Sequence, residues 1–270
     1  MERADYDAFT SELLARVSGH PEAVGLVALG SMAARDYLPD AGSDHDFFVV
    51  VRDGHQEPLR ASLEWLPRAA QVVLQFRETA HGLKVLYADG HLLEFAVFSP
   101  DELALAKVNR YRVLLDRADV ERRLAEVAAR TAADLDTGRP DDAWLIGQFL
   151  TELVVALGRH GRGELLSATQ RLQTAAGHLA RLLARHATAP EKSLLDGLDP
   201  LRRFERVFPG LGTELNEALQ GPLPHAVERL LALASRELPN MPARAVSAVR
   251  GVASRGVAGA VAPPPAHPAR

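Results

Sequence analysis

The stretch VALGSMAARDYLPDAGSDHDFFVVV, residues 27–51, decides how this chain is read. An apolar run of strand length (24–29) breaks at Gly30-Ser31, passes through a polar loop, and resumes as a second apolar run at 46–51. A glycine at the break lets backbone approach a ligand with no Cβ in the way. The N–H groups opening a following short helix favour anions, and the Ser31 hydroxyl adds a donor. These features predict a phosphate-binding corner, although Gly-Ser alone is also an ordinary strand–helix turn with a serine cap. Thirteen residues after Ser31, Asp44 and Asp46 stand one residue apart at the start of the second strand. Side chains alternate along a strand, so both carboxylates are expected on one face and His45 on the other, packing rather than ligating. Like charges that close demand a cation, and hard oxygens suit Mg²⁺.

Glu94 supplies a third carboxylate. It interrupts GHLLEFAVF (90–98), where an unpaired charge among apolar neighbours is costly. If its strand lies beside the one that follows Asp44, the three acids converge near the Gly-Ser corner.

Outward from this core, residues 5–17 and 56–66 have helical spacing. Runs at 71–77, 83–87 and 91–98, the last following the turn dipeptide Asp89-Gly90, predict an antiparallel meander. Near residue 105 the texture changes. Residues 119–136, 141–158, 163–186 and 223–237 repeat apolar residues at three- and four-residue intervals, as packed helices do. From Pro239 the chain is rich in Ala, Pro, Gly and Arg; 243–258 reads as a marginal helix and the last dozen residues as a disordered tail. The expected organisation is therefore α+β. A mixed sheet with flanking helices spans 1–105, an all-α bundle spans 106–238, and a largely disordered tail spans 239–270.

Composition narrows the chemistry. The absence of cysteine excludes thiolate metal sites, disulfides and a cysteine nucleophile. A net charge of −4 gives no global drive toward nucleic acid or anionic membrane, so neither is expected as a partner. The start MERADYD lacks a basic-then-apolar leader, and no run of 18 apolar residues occurs, so a cytoplasmic protein is expected.

The pattern of apolar strand, Gly30-Ser31, loop, and Ser43-Asp44-His45-Asp46 before FFVVV resembles the nucleotidyltransferase superfamily typified by DNA polymerase β. The helical second half, with GRGELLSATQRLQTAAGHLARLL (161–183), resembles its antibiotic-modifying branch, the aminoglycoside and lincosamide nucleotidyltransferases. Arg35-Asp36 stands where many relatives carry Arg-Gly. The resemblance implies a nucleotidyltransferase-like N-terminal domain in which Gly30 and Ser31 hold an NTP. Asp44, Asp46 and Glu94 would bind two Mg²⁺ ions and serve catalysis, with Glu94, or instead Glu152 or Glu164, taking the acceptor proton. It also implies transfer of a nucleoside monophosphate, AMP from ATP, to a hydroxyl of a small molecule such as an antibiotic. The motif itself holds nothing that recognises a drug-sized polyol, so acceptor recognition is expected from the helices after residue 119. Nucleotidylation of a protein partner and a non-catalytic nucleotide-binding role are the alternatives. Oligomeric state is not legible.

Overall fold

The computed structural model describes residues 2–33 and 38–258. The chain divides into two compact units, Met1–Thr137 and Gly138–Arg270.

The first unit opens with α1 (Arg3–Gly19), which buries Tyr6, Phe9, Leu13 and Val17 along one face. β1 (Ala23–Leu29) leads into a 3₁₀ turn at Gly30–Ala33, and β2 (His45–Val51) into the short α2 (Gln56–Ala61). The meander forms as expected from β3 (Val72–Arg77), β4 (Gly82–Tyr87) and β5 (Leu92–Phe98). β6 (Tyr111–Asp116) and α3 (Val120–Thr137) complete the unit. The six strands form one mixed sheet in the order β3-β4-β5-β2-β1-β6, with β2 and β5 parallel and the other pairs antiparallel. β1 lies inside the sheet with core on both sides, which is why its sequence is apolar throughout rather than alternating.

The sheet has two different faces. One packs α1 and α2 against Phe47, Val49, Leu83, Val85, Leu93 and Phe95. On the other, Val120, Leu124 and Val127 of α3, with Leu103, cover Val27, Val50, Ala96 and Phe98. α3 reaches β1 closely at Gly25, where a Cβ would lie 2.7 Å from Val120. Asp116 joins β6 to α3 by accepting N–H bonds from Ala118, Val120 and Glu121. Burial pushes that carboxyl up, but the three donors outweigh it and hold its pKa below the usual value. These contacts move the division of the chain to Thr137, later than the expected boundary at 105. β6 was hidden in the sequence, because YRVLLD is short and runs directly into a helical pattern.

The second unit contains α4 (Asp142–Gly161), α5 (Leu165–His186), α6 (Phe204–Val207), α7 (Pro209–Gln220), α8 (Leu223–Glu237) and α9 (Ala243–Ala258). One apolar core joins them, from Leu145 and Phe149 on α4 to Leu230 on α8 and Val246, Val249 and Ala253 on α9. That burial makes 243–258 an integral helix rather than part of a disordered tail. Residues 259–270 lie outside the described residues. No helix among the described residues is long and apolar enough to cross a membrane.

Candidate active site

β1 delivers the chain to Gly30 in the left-handed region, at φ +49°. An added Cβ there would meet Asp46 Oδ2 at 2.8 Å, so the missing side chain is what lets the carboxylate pack against the turn. Ser31 follows, only 3% exposed. Its Oγ is buried without a well-aligned hydrogen-bond partner, which is costly unless a ligand supplies one. The Tyr6 hydroxyl, on which Ser31 acts, donates to the Asp44 carbonyl at 2.9 Å. Burial raises the Tyr6 pKa; Ser31 pulls it down, and the Asp46 and Asp44 carboxylates raise it further. Both aspartates therefore act on one hydroxyl at the Gly-Ser corner, and Tyr6 stays a neutral donor.

A tight turn sets Asp44. Asp40 Oδ1 accepts from the Gly42 N–H at 2.9 Å, and Ser43 N–H bonds the Asp40 carbonyl at 3.1 Å. Beyond it, β2 alternates as expected. His45 is fully buried against α1, stacked on Tyr6 with ring centroids 3.8 Å apart. Its ring nitrogens bond Thr10 Oγ1 at 2.9 Å and His91 Nε2 at 2.8 Å.

Asp46 points to the other face, in register with Glu94 on parallel β5. Glu94 lies directly opposite Lys84 on β4, and Lys84 opposite Phe76 on edge strand β3. One row of side chains thus crosses four strands: Phe76, Lys84, Glu94, Asp46. At a strand spacing of roughly 4.8 Å it spans about 14 Å, ending beside Gly30. Lys84 Nζ is 3.0 Å from Glu94 Oε1 and 3.0 Å from Glu78 Oε1. These hydrogen bonds, Glu94's first, raise the Lys84 pKa and keep it an ammonium. Phe76 is 48% exposed.

The donor set suits Mg²⁺ and a polyphosphate. Asp44 and Asp46 offer hard oxygens, Gly30 gives close backbone approach, and the buried Ser31 hydroxyl awaits an acceptor. Strand register sets Glu94 beside Asp46, but one of its oxygens already holds Lys84. Among the described residues no group of three or more acidic or histidine side chains is gathered closely enough to hold a metal.

No protein-family model matches the chain, and no curated protein matches it. Solved structures do show likeness. An aminoglycoside 6-adenyltransferase from Bacillus subtilis aligns over 92% of this chain and 90% of its own, at 14% identity and TM-score 0.29. A nucleotidyltransferase-like protein from Exiguobacterium sibiricum 255-15 aligns over 94% and 77%, at 13% identity and TM-score 0.31. CdnC of E. coli MS115-1, solved in a CdnC:HORMA-deltaN complex, aligns over 95% and 90%, at 12% identity and TM-score 0.27.

Other residues singled out in the sequence have structural partners. Glu152 bonds Arg171 at 3.2 Å, and Glu164 bonds Arg162 at 2.7 Å. Arg35 and Asp36 lie outside the described residues. Tyr6 and Lys84 were missed. Tyr6 reads as one apolar position of a helix, and Lys84 as a polar residue alternating in a strand. Only the packing of α1 and the register of β4 bring them to the site.

Proposed function

We propose that the chain transfers a nucleoside monophosphate from an NTP, ATP in the first instance, to a hydroxyl of a small molecule. The observation that carries this reading is the juxtaposition of Gly30, the unsatisfied buried Ser31 hydroxyl and the Asp46 carboxylate at one corner, with Asp44 adjoining. Backbone N–H groups of the 3₁₀ turn and Ser31 Oγ would donate to the phosphates. Asp44 and Asp46 would hold Mg²⁺, whose charge offsets the repulsion between phosphate and carboxylates and stabilises charge developing in the transition state. Glu94 would take the acceptor's hydroxyl proton, with Lys84 fixing its carboxylate. The acceptor oxygen bonds to the α-phosphorus, the bond from that phosphorus to pyrophosphate breaks, and the proton passes to Glu94 and on to solvent. An antibiotic-like polyol is the acceptor class proposed first, on the sequence resemblance.

ATP labelled at the α-phosphate, Mg²⁺ and a panel of hydroxylated antibiotics test the reading by mass spectrometry and label transfer. The expected result is an acceptor heavier by one nucleoside monophosphate, and no product with Asp46→Asn at unchanged melting temperature. Undiminished transfer by folded Asp46→Asn would remove the aspartate from the site and defeat the proposal.

A further inference from the structure

We infer that Lys84 stands in for a second metal ion: its ammonium supplies the positive charge on the Glu94 side of the site, and the chain works with a single divalent cation held by Asp44 and Asp46. This rests on the nucleotidyl-transfer reading and changes the two-ion expectation drawn from the sequence. A second ion would need Glu94 as a ligand. Glu94 Oε1 is instead 3.0 Å from Lys84 Nζ, and a dication on Glu94 would have to displace that ammonium or bind against its charge.

Three further observations support the substitution. The contact is built by the sheet, because Lys84 and Glu94 are directly opposed on antiparallel strands, where facing side chains pair. Glu78 holds Lys84 from its other side at 3.0 Å, so the ammonium is fixed between two carboxylates rather than sweeping through solvent. Finally, lysine is rare here: Lys84, Lys107 and Lys192 are the only lysines among 31 basic residues. A lysine ammonium is a compact point charge, closer to a metal ion than the planar guanidinium is. Lys84 is thus a positioning residue for Glu94 and a resident counter-charge.

Native mass spectrometry of the full chain with Mn²⁺ and α,β-methylene ATP counts the ions held in the complex. One ion is expected in the parent chain. Lys84→Gln should acquire a second, bound at least roughly tenfold more tightly than any second ion in the parent, because like-charge repulsion is gone. Lys84→Arg should return the count to one, and matched circular dichroism melts show that all three chains are folded. Two ions bound equally tightly in the parent would overturn the inference and leave nucleotidyl transfer standing. A count of one in Lys84→Gln would also overturn it. No nucleotide-dependent ion in any chain would overturn both this inference and the functional reading on which it rests.

Discussion

His45 and Asp46 are neighbours in sequence and occupy opposite worlds. On the α1 face, His45 is sealed under Tyr6 and Phe9, bonded to Thr10 and His91, and held neutral. On the other face, Asp46 lies against Gly30 in a row with Glu94 and Lys84, where ammonium and carboxylate are paired but not sealed. The first face uses polar groups only where each has a partner inside the core, as burial demands. The second gathers charge that a ligand would complete. The two-residue period of one strand therefore sends His45 into the core and Asp46 to the charged end of a face that α3 covers further along, at Val50.

The largest expected effect tests the sealed face. Phe47 stacks on Phe95 with centroids 4.9 Å apart and is fully buried. Phe47→Ala should cost about 3–5 kcal/mol in urea unfolding. A loss under about 1 kcal/mol would mean that this face is not the load-carrying core.

The second effect is a pH dependence confined to the same face. Burial lowers His45 to about 3, with His91 adding repulsion, and burial lowers His91 to about 4. Above pH 6.5 both folded and unfolded imidazoles are neutral and these groups contribute no slope. Below it the unfolded chain takes up protons that the folded chain refuses, so stability is lost as pH falls from about 6.5 toward 4. About 4 kcal/mol, roughly 2 from each imidazole, should disappear between pH 7 and pH 5, and His45→Gln should remove about half of that slope. A slope that survives His45→Gln undiminished would place the titrating group elsewhere.

The third concerns the seam between the faces. Gly30→Ala forces a side chain into the left-handed region and against Asp46 Oδ2, so a destabilisation of roughly 1–2 kcal/mol is expected. Affinity for Mg²⁺–ATP, measured by calorimetry, should fall with it. Unchanged affinity would separate the glycine from the phosphate corner.

The smallest effect lies at the outer end of the charged row. Phe76 is exposed on an edge strand, and Phe76→Ser should change stability by less than about 0.5 kcal/mol. A larger loss in thermal melts would show that the open face has a hidden packing partner.

Much of this was legible because the signals are local. β1, β2 and the meander are apolar runs bounded by turn residues, and four of the long helices announce themselves by three- and four-residue periodicity. The Gly-Ser turn and the paired aspartates lie within 17 consecutive residues, and alternation alone predicts that His45 and Asp46 part ways. β6 escaped because six residues of edge strand merge into the next helix, and α7 because Pro209, Gly210 and Gly212 blur its period.

The site itself divides along the same line. By itself, the sequence determined that a glycine-serine corner precedes two same-face carboxylates and that an acid interrupts a later apolar strand. Whether these meet is a matter of strand order and register, which local propensity does not encode. The hairpin between β4 and β5 shows why. A two-residue turn at Asp89-Gly90 would pair Ala88 with His91 and, counting back along the ladder, set Lys84 opposite Phe95. The chain instead makes a three-residue loop, Ala88 to Gly90, with Gly90 at φ +85° and Tyr87 N–H bonding the His91 carbonyl at 2.9 Å. That single residue of register sets Lys84 opposite Glu94. Because side chains alternate with a period of two, a slip of one would have flipped every partner to the other face. Only the tertiary structure, in which Leu83, Val85, Leu93 and Phe95 must all turn toward α1 and α2 to be buried, decides which register wins and so gives the row its ammonium.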